Sequence, residues 1–325
     1  MTRDLGLALG GLGGYNMHGA GILEALDERG VKPSLVSATS GQILVVAAWL
    51  EGENPSETLE RETGNGVSPL SMAIGGRPGT FRPATMENAG EILAAALLFP
   101  LDPGDGSLID KMPARRLIPT RSRETFEKIS DILNDSDTGV LINVLDVASG
   151  REIVHGNPAA RKLVPKADRI EPIDADTISS ALWLSLYGLD GAPNGKIDGA
   201  YARSVIVREL RGRELILVAP PLPIGWNAPI PTSISETENW SVARPFANSC
   251  RMEIENVERL IAMDKLGILS DPEQRTRKLS VVERGRHYGH LEWFVEKRQV
   301  RDDAFEAGLQ AIDDLTCSSR NDQSD

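Results

Sequence analysis

Two side chains stand where their residue types could perform acyl chemistry. Ser40 ends an apolar strand pattern at 35–40 and precedes an apolar helix pattern at 41–52. A serine at such a strand-to-helix turn holds its Oγ at the carboxyl edge of a sheet, where it can act as a nucleophile. Asp198 follows a short strand pattern, and a carboxylate there could accept the serine proton. Taken singly, Ser40 is better explained as an ordinary helix N-cap, and Asp198 fits the very common Asp-Gly turn.

A glycine-rich turn supplies the third feature with chemical potential. Gly10-Gly11-Leu12-Gly13-Gly14 separates a strand pattern at 5–9 from a helix pattern at 20–30. Backbone N–H groups in such a turn can bind an anion, so Gly11, Leu12, Gly13 and Gly14 are candidate anion-binding residues. A simple strand-helix connection remains open. A dinucleotide loop is disfavoured because Asn16 occupies the place of its last glycine.

The elements that must position these residues alternate between strand and helix. The order of the patterns over residues 5–50 predicts parallel strands joined by helices that pack on the sheet. Later patterns predict a hairpin at 140–156, a buried helix at 177–188, a strand that enters a turn at 196–204 and a further strand at 213–220. The predicted fold class is therefore α/β, with three α/β/α layers around a mainly parallel central sheet.

Five segments in this order resemble the patatin-like phospholipase family. They are LALGG at 7–11, AGILEAL at 20–26, ATSGQILVVAAWL at 38–50, NVLDVASGREIV at 143–154 and DGA at 198–200. The resemblance covers about residues 5–220, and the order and spacing of the segments are more specific than any one of them.

The resemblance implies a serine hydrolase with a Ser-Asp dyad. Ser40 would attack a carboxylic ester, Asp198 would take its proton, and an acyl-enzyme would form and be hydrolysed. Amides of Gly11, Leu12 and Gly13 would stabilise the oxyanion. The reaction would need no metal and no organic cofactor, and the substrate would be a lipid or another acyl ester.

The chain departs from the family pattern at the elbow and at the glycine-rich loop. Ala38 and Gln42 stand where the elbow has glycines, and Tyr15 and Asn16 replace the basic residue and glycine of the loop. Losing one oxyanion donor costs about 2.7–4 kcal/mol of transition-state stabilisation. These departures support an alternative, a catalytically impaired lipid-binding or interaction protein. Acyl transfer to another acceptor, and a shifted register with Thr39 as nucleophile, are further alternatives.

Composition changes after about residue 220. Residues 1–220 are predicted to form the hydrolase domain, and 221–325 a proline-rich connector with a mostly helical extension. Residues 252–269 and 302–315 are predicted to be amphipathic helices, and the polar tail from Cys317 to be disordered. The pattern does not indicate an oligomeric state.

Charge and cysteine usage limit the partners and the compartment. The net charge is −12 and the basic residues are scattered, which predicts no nucleic-acid partner. An acidic surface disfavours docking on anionic membranes, but peripheral membrane contact with neutral lipids stays open. Two distant cysteines, Cys250 and Cys317, and no signal-peptide pattern favour the cytoplasm. His287-x-x-His290 lacks a third metal ligand, and His18 is expected to cap a turn or face solvent.

Overall fold

A computed structural model describes residues 4–11, 16–63, 81–83, 117–164, 169–223, 230–268, 275–282 and 297–321. Its strands are β1 (Leu5–Leu9), β2 (Leu35–Ala38), β3 (Phe81–Pro83), β4 (Leu117–Pro119), β5 (Gly139–Asp146), β6 (Glu152–Gly156), β7 (Glu171–Pro172), β8 (Lys196–Asp198), β9 (Leu215–Ala219) and β10 (Lys278–Val281). Its helices are α1 (Met17–Glu28), α2 (Gln42–Leu50), α3 (Pro55–Thr63), α4 (Arg123–Asn134), α5 (Pro158–Leu163), α6 (Ala175–Ala181), α7 (Ile234–Lys265) and α8 (Lys297–Asn321).

The central sheet has the strand order β10-β9-β1-β2-β5-β6-β7, and β8 pairs with β5. Neighbouring strands run parallel except in the β5–β6 hairpin and the β5–β8 pair. The predicted mainly parallel α/β fold is confirmed, and β2 lies inside the sheet between β1 and β5 rather than at an edge.

Side-chain alternation along the strands divides the core into two layers. In β1, Leu5, Leu7 and Leu9 face one layer, while Ala8 faces the other. The first layer is filled by buried residues of α1, α2, α4, α6 and α8 and of the first half of α7. The second is filled by residues of α5 and of the second half of α7. Because a parallel sheet must bury both faces, its strands read as continuous apolar runs such as LGLAL and LILVA. The fold therefore has the expected three layers.

The residues after 220 are built into this same sheet. β10 extends the sheet beyond β9, with Leu279 opposite Ile216. The buried Cys250, Ile254 and Val257 place α7 in the second core layer. α8 packs along α1 in the first, where Ala304 is fully buried. The chain beyond 220 thus adds a strand and two covering helices.

Several element boundaries differ from the sequence-based prediction. The helix expected at 177–188 ends at Ala181, and a short 3-10 turn at Ser185–Tyr187 follows it. α7 begins at Ile234, before the predicted 252, and α8 extends to Asn321, into the tail predicted to be disordered. The helix predicted at 86–99 lies outside the described residues. Among the described helices, none has both the length and the apolarity that spanning a bilayer requires.

Candidate active site

Ser40 lies at a sharp turn between β2 and α2. Its φ angle is 59°, in the left-handed region that side-chain-bearing residues rarely adopt, and the only other such residue in the described part of the chain is Asn194. The turn is closed by the Gln42 amide donating to the Thr39 carbonyl at 3.2 Å and the Ile43 amide donating to the Ser40 carbonyl at 3.1 Å. This is the backbone geometry of a nucleophile elbow.

Gly11 lies directly against this elbow. A Cβ built on Gly11 would lie 2.6 Å from the Ser40 Cβ and 2.7 Å from the Thr39 carbonyl carbon. Those distances are shorter than any van der Waals contact, and the backbone there is fixed by the sheet. Only glycine fits at this position, so its type in the sequence reflects the close approach.

Hydrogen bonding distinguishes the two hydroxyl groups of the elbow, Ser40 and Thr39. Ser40 Oγ donates a hydrogen bond to Asp198 Oδ2. Thr39 is fully buried, and its Oγ1 has no hydrogen-bond partner within the described residues. The alternative register with Thr39 as nucleophile therefore lacks a base.

Two further hydrogen bonds hold Asp198 in place, one from its backbone amide and one to its other carboxylate oxygen, Oδ1. Its Oδ1 accepts the Ala200 amide at 2.8 Å, and its own amide donates to the Trp183 carbonyl at 3.0 Å. Gly199 follows it in contact with β5, since a Cβ there would lie 2.6 Å from the Asn143 carbonyl oxygen. The Asp-Gly-Ala run is therefore a tight turn that directs the carboxylate toward the elbow.

The topology explains how two residues 158 positions apart meet. β2 runs parallel to β5 and pairs with it as far as Ser37 opposite Leu141. β8 approaches antiparallel to β5, with Asp198 opposite Val144. Both strands thus end beside the same stretch of β5, facing each other. Asp198 is the last residue of β8, which is antiparallel to β5 within a mainly parallel sheet.

Burial controls the charge of the carboxylate. Asp198 is 1% exposed, and this burial raises its pKa to about 7, although the hydrogen bonds from Ser40 and the Ala200 amide lower it in part. A carboxyl group with a pKa near neutrality is matched to accepting and returning a proton.

The bulky Gln42 of the elbow is accommodated by a glycine in α1. A Cβ on Gly19 would lie 2.7 Å from the Gln42 Cδ, so the amide occupies the space that a side chain there would take. Gln42 Nε2 also lies 3.3 Å from the His18 ring nitrogens. Gly19 thus provides the space that the bulky Gln42 side chain needs.

His18 is buried rather than surface-exposed. Its Nε2 lies 3.0 Å from the Gly10 carbonyl oxygen and links the end of β1 to the start of α1. The contact spans the glycine-rich turn, as expected for a histidine that caps a turn. The alternative expectation, that His18 faces solvent, is wrong.

One candidate anion-binding amide is already bonded elsewhere. The Gly11 amide donates to the Ser204 carbonyl at 2.9 Å. The expectation that this amide is an oxyanion donor is therefore wrong, and Gly11 instead allows close packing against the elbow. Leu12, Gly13, Gly14 and Tyr15 lie outside the described residues, as do His287 and His290. In the described part of the chain, no three His, Cys, Asp or Glu residues are arranged to hold a metal.

Sequence reasoning missed a buried charge cluster next to the Asp198 turn. Arg203 Nε donates to Glu152 Oε1 at 2.9 Å, and its Nη1 donates to Glu209 Oε2 at 2.9 Å and to Glu253 Oε1 at 2.8 Å. Burial alone would raise the pKa of Glu209, but Arg203 outweighs it and the pKa is lowered. Glu253 lies on α7, so the cluster links that helix to the turn. Its members are scattered along the chain, and no sequence signal joins them.

No protein-family model matches the chain, and no curated protein matches it. Among solved structures, the crystal structure of VipD from Legionella pneumophila is similar, with a TM-score of 0.40 and 11% sequence identity. That match covers 96% of this chain and 67% of the VipD chain.

Proposed function

We propose that this chain is a serine acyl hydrolase that cleaves carboxylic esters of lipids or related acyl compounds. The observation that carries the proposal is the hydrogen bond from Ser40, at a left-handed elbow, to the buried carboxylate of Asp198. The segments that resemble the patatin-like phospholipase family contain these same two residues.

In the proposed reaction, Ser40 Oγ attacks the ester carbonyl carbon while its proton passes to Asp198 Oδ2. The carbonyl π electrons move to the oxygen, which becomes an oxyanion. The tetrahedral intermediate then collapses, the bond to the alkoxide breaks, and the leaving group takes the proton from Asp198. Water repeats the sequence on the acyl-enzyme and releases the acid. The chemistry uses no metal and no organic cofactor.

The oxyanion needs donors that are organised before the reaction. We assign this task to the amides of Leu12 and Gly13, as the family resemblance implies, together with the Gly14 amide and the N-terminal end of α1. Gly11 contributes by its close approach to the elbow. The proposed location is the cytoplasm, with a lipid or acyl ester as the partner.

A second candidate is a lipid- or acyl-binding protein with impaired catalysis. The observation that favours it is the low exposure of the nucleophile: Ser40 is 2% exposed, and Asn16 lies next to the elbow. A working hydrolase must admit an ester carbonyl to a hydroxyl that is covered in this conformation.

One experiment separates the two candidates. Wild type and Ser40→Ala are treated with a fluorophosphonate probe and assayed with p-nitrophenyl esters of short and medium chain length. The hydrolase proposal expects a covalent adduct on Ser40 and turnover that Ser40→Ala abolishes. No adduct and equal background rates for both proteins would contradict it, and saturable binding of a fatty acid by such an inert protein would support the binding function.

A further inference from the structure

Asn16 places a carboxamide beside the residue that follows the nucleophile. A Cβ built on Gly41 would lie 2.6 Å from the Asn16 Cγ, and both amide atoms of the side chain are equally near to it. Asn16 is 9% exposed, so this contact is inside the protein. Gly41 is a glycine because the Asn16 side chain fills the space of its side chain.

The side chain has no structural bonding role that would explain its position. Asn16 is the N-cap residue of α1, but it makes no side-chain capping hydrogen bond. Its Oδ1 is buried and has no hydrogen-bond partner within the described residues. A buried amide that is left unbonded destabilises a fold, and such groups concentrate where a ligand completes them. A half-turn about the last side-chain torsion exchanges the oxygen and nitrogen of a carboxamide, so the unbonded position of Asn16 can hold the Nδ2–H donor instead.

The neighbouring backbone supplies a free donor at the same place. The Gly41 amide donates to none of the carbonyl groups in the described part of the chain, whereas the Gly11 amide is bonded to Ser204. In a nucleophile elbow, the amide after the serine faces the developing oxyanion. A second donor is needed for a strong site, and Asn16 lies against that residue at the positive end of α1.

We propose that the Asn16 carboxamide, with Nδ2 directed at the substrate, is an oxyanion donor that acts together with the Gly41 amide. The inference rests on the proposed function and names a further catalytic residue for it. A neutral amide here takes the place of the basic residue and glycine of the family pattern. Its Nδ2–H bonds strengthen as charge moves onto the carbonyl oxygen, so they stabilise the transition state more than the bound ester.

The test compares Asn16→Ala and Asn16→Asp with wild type, using p-nitrophenyl butyrate. Both variants should lower kcat by about 10²–10³-fold with little change in KM, since that is the effect of removing one oxyanion donor. Asn16→Asp keeps the shape of the side chain, so it guards against a folding defect, and its added charge should make it at least as slow as Asn16→Ala.

Asn134→Ala is the matched control. Asn134 of α4 donates to Ser130 Oγ at 3.3 Å and to the Ile173 carbonyl at 3.0 Å, so its loss should lower the melting temperature and leave kcat unchanged. Wild-type kcat in both Asn16 variants, with Ser40→Ala inactive, would overturn the inference and leave the proposed function standing. Absence of turnover and of probe labelling in wild type would overturn both.

Discussion

At the scale of single residues, the pKa of Asp198 should control activity. The proposed mechanism needs the ionised carboxylate to accept the Ser40 proton, and burial raises its pKa to about 7. We expect kcat/KM for a p-nitrophenyl ester to rise from pH 5 to about pH 9, with a midpoint near 7, and to level off above that. The rate of fluorophosphonate labelling should follow the same curve. A profile that is flat over this range would show that Asp198 is not the base.

The same carboxylate should reduce stability at neutral and alkaline pH. Its pKa is raised from 3.8 to about 7, so the folded state favours the protonated form. The stability this provides is fully present below pH 3.8 and is lost as pH rises to about 7. The loss can reach about 4 kcal/mol, at 1.36 kcal/mol per pKa unit.

Asp198→Asn should therefore give an inactive but more stable protein. Its oxygen can accept the Ala200 amide, and its NH₂ can donate to Ser40 Oγ, so both contacts of Asp198 are retained with the Ser40 bond reversed. We expect the free energy of unfolding at pH 8 to rise by about 1–4 kcal/mol in urea titrations. The gain should shrink at pH 5, and a destabilised variant at pH 8 would contradict the raised pKa.

At the scale of secondary-structure elements, α1 and α2 are coupled through one glycine and one glutamine. Gly19→Ala should destabilise the wild type, because the new Cβ meets the buried Gln42 side chain. In a Gln42→Ala background the space is open, and alanine is better than glycine in a helix by about 1 kcal/mol.

The sign of the Gly19→Ala effect should therefore reverse between the two backgrounds. Thermal unfolding of the four proteins gives the coupling energy, which we expect to exceed about 1 kcal/mol. An additive cycle would mean that Gln42 moves aside at no cost and that the two helices are not fitted to each other at this point.

The Arg203 cluster joins α7 to the turn that carries Asp198. Arg203→Met would remove the buried cation that Glu209 and Glu253 share, and breaking a buried ion pair in this way costs about 3–5 kcal/mol. Arg208→Met is the matched control, since Arg208 is 63% exposed and pairs with the same Glu209. It should change the free energy of unfolding by about 1 kcal/mol or less. Equal changes in the free energy of unfolding for the two variants would show that the buried ion pairs of Arg203 contribute no more to stability than an exposed pair.

At the scale of the whole molecule, the described chain beyond 220 is packed into the central sheet. α8 crosses α1 so closely that a Cβ on Gly21 would lie 2.9 Å from the Phe305 amide nitrogen. Ion pairs flank the crossing, with Arg29 bonded to Asp313 at 2.8 Å and Arg301 to Glu24. This packing predicts one cooperative unit rather than a core with an independent extension.

Gly21→Val should therefore weaken the entire fold. We expect one unfolding transition by circular dichroism and by tryptophan fluorescence, shifted to lower temperature by the same amount in both. Glu28→Ala, at an exposed position of the same helix, should leave the transition within about 0.5 kcal/mol of wild type. Two separate transitions, with only one affected by Gly21→Val, would instead support a division near residue 220.

The sequence by itself determined the elements and the residue types at the site. Apolar runs and glycine positions are local patterns, and they predicted β1, β2, the β5–β6 hairpin and the turns that hold Ser40 and Asp198. Boundaries of α6, α7 and α8 were less predictable, because helix ends depend on what the helix packs against.

Only the tertiary structure decided which of these residues meet. Ser40 reaches Asp198 because β2 and an antiparallel β8 end beside the same part of β5, a register that no local pattern encodes. The space for Gln42 comes from Gly19, on a different helix, and the Gly11 amide is bonded to a carbonyl far along the chain. Local propensity acts over a few residues, whereas van der Waals fit and hydrogen bonding between distant segments exist only once the chain has folded.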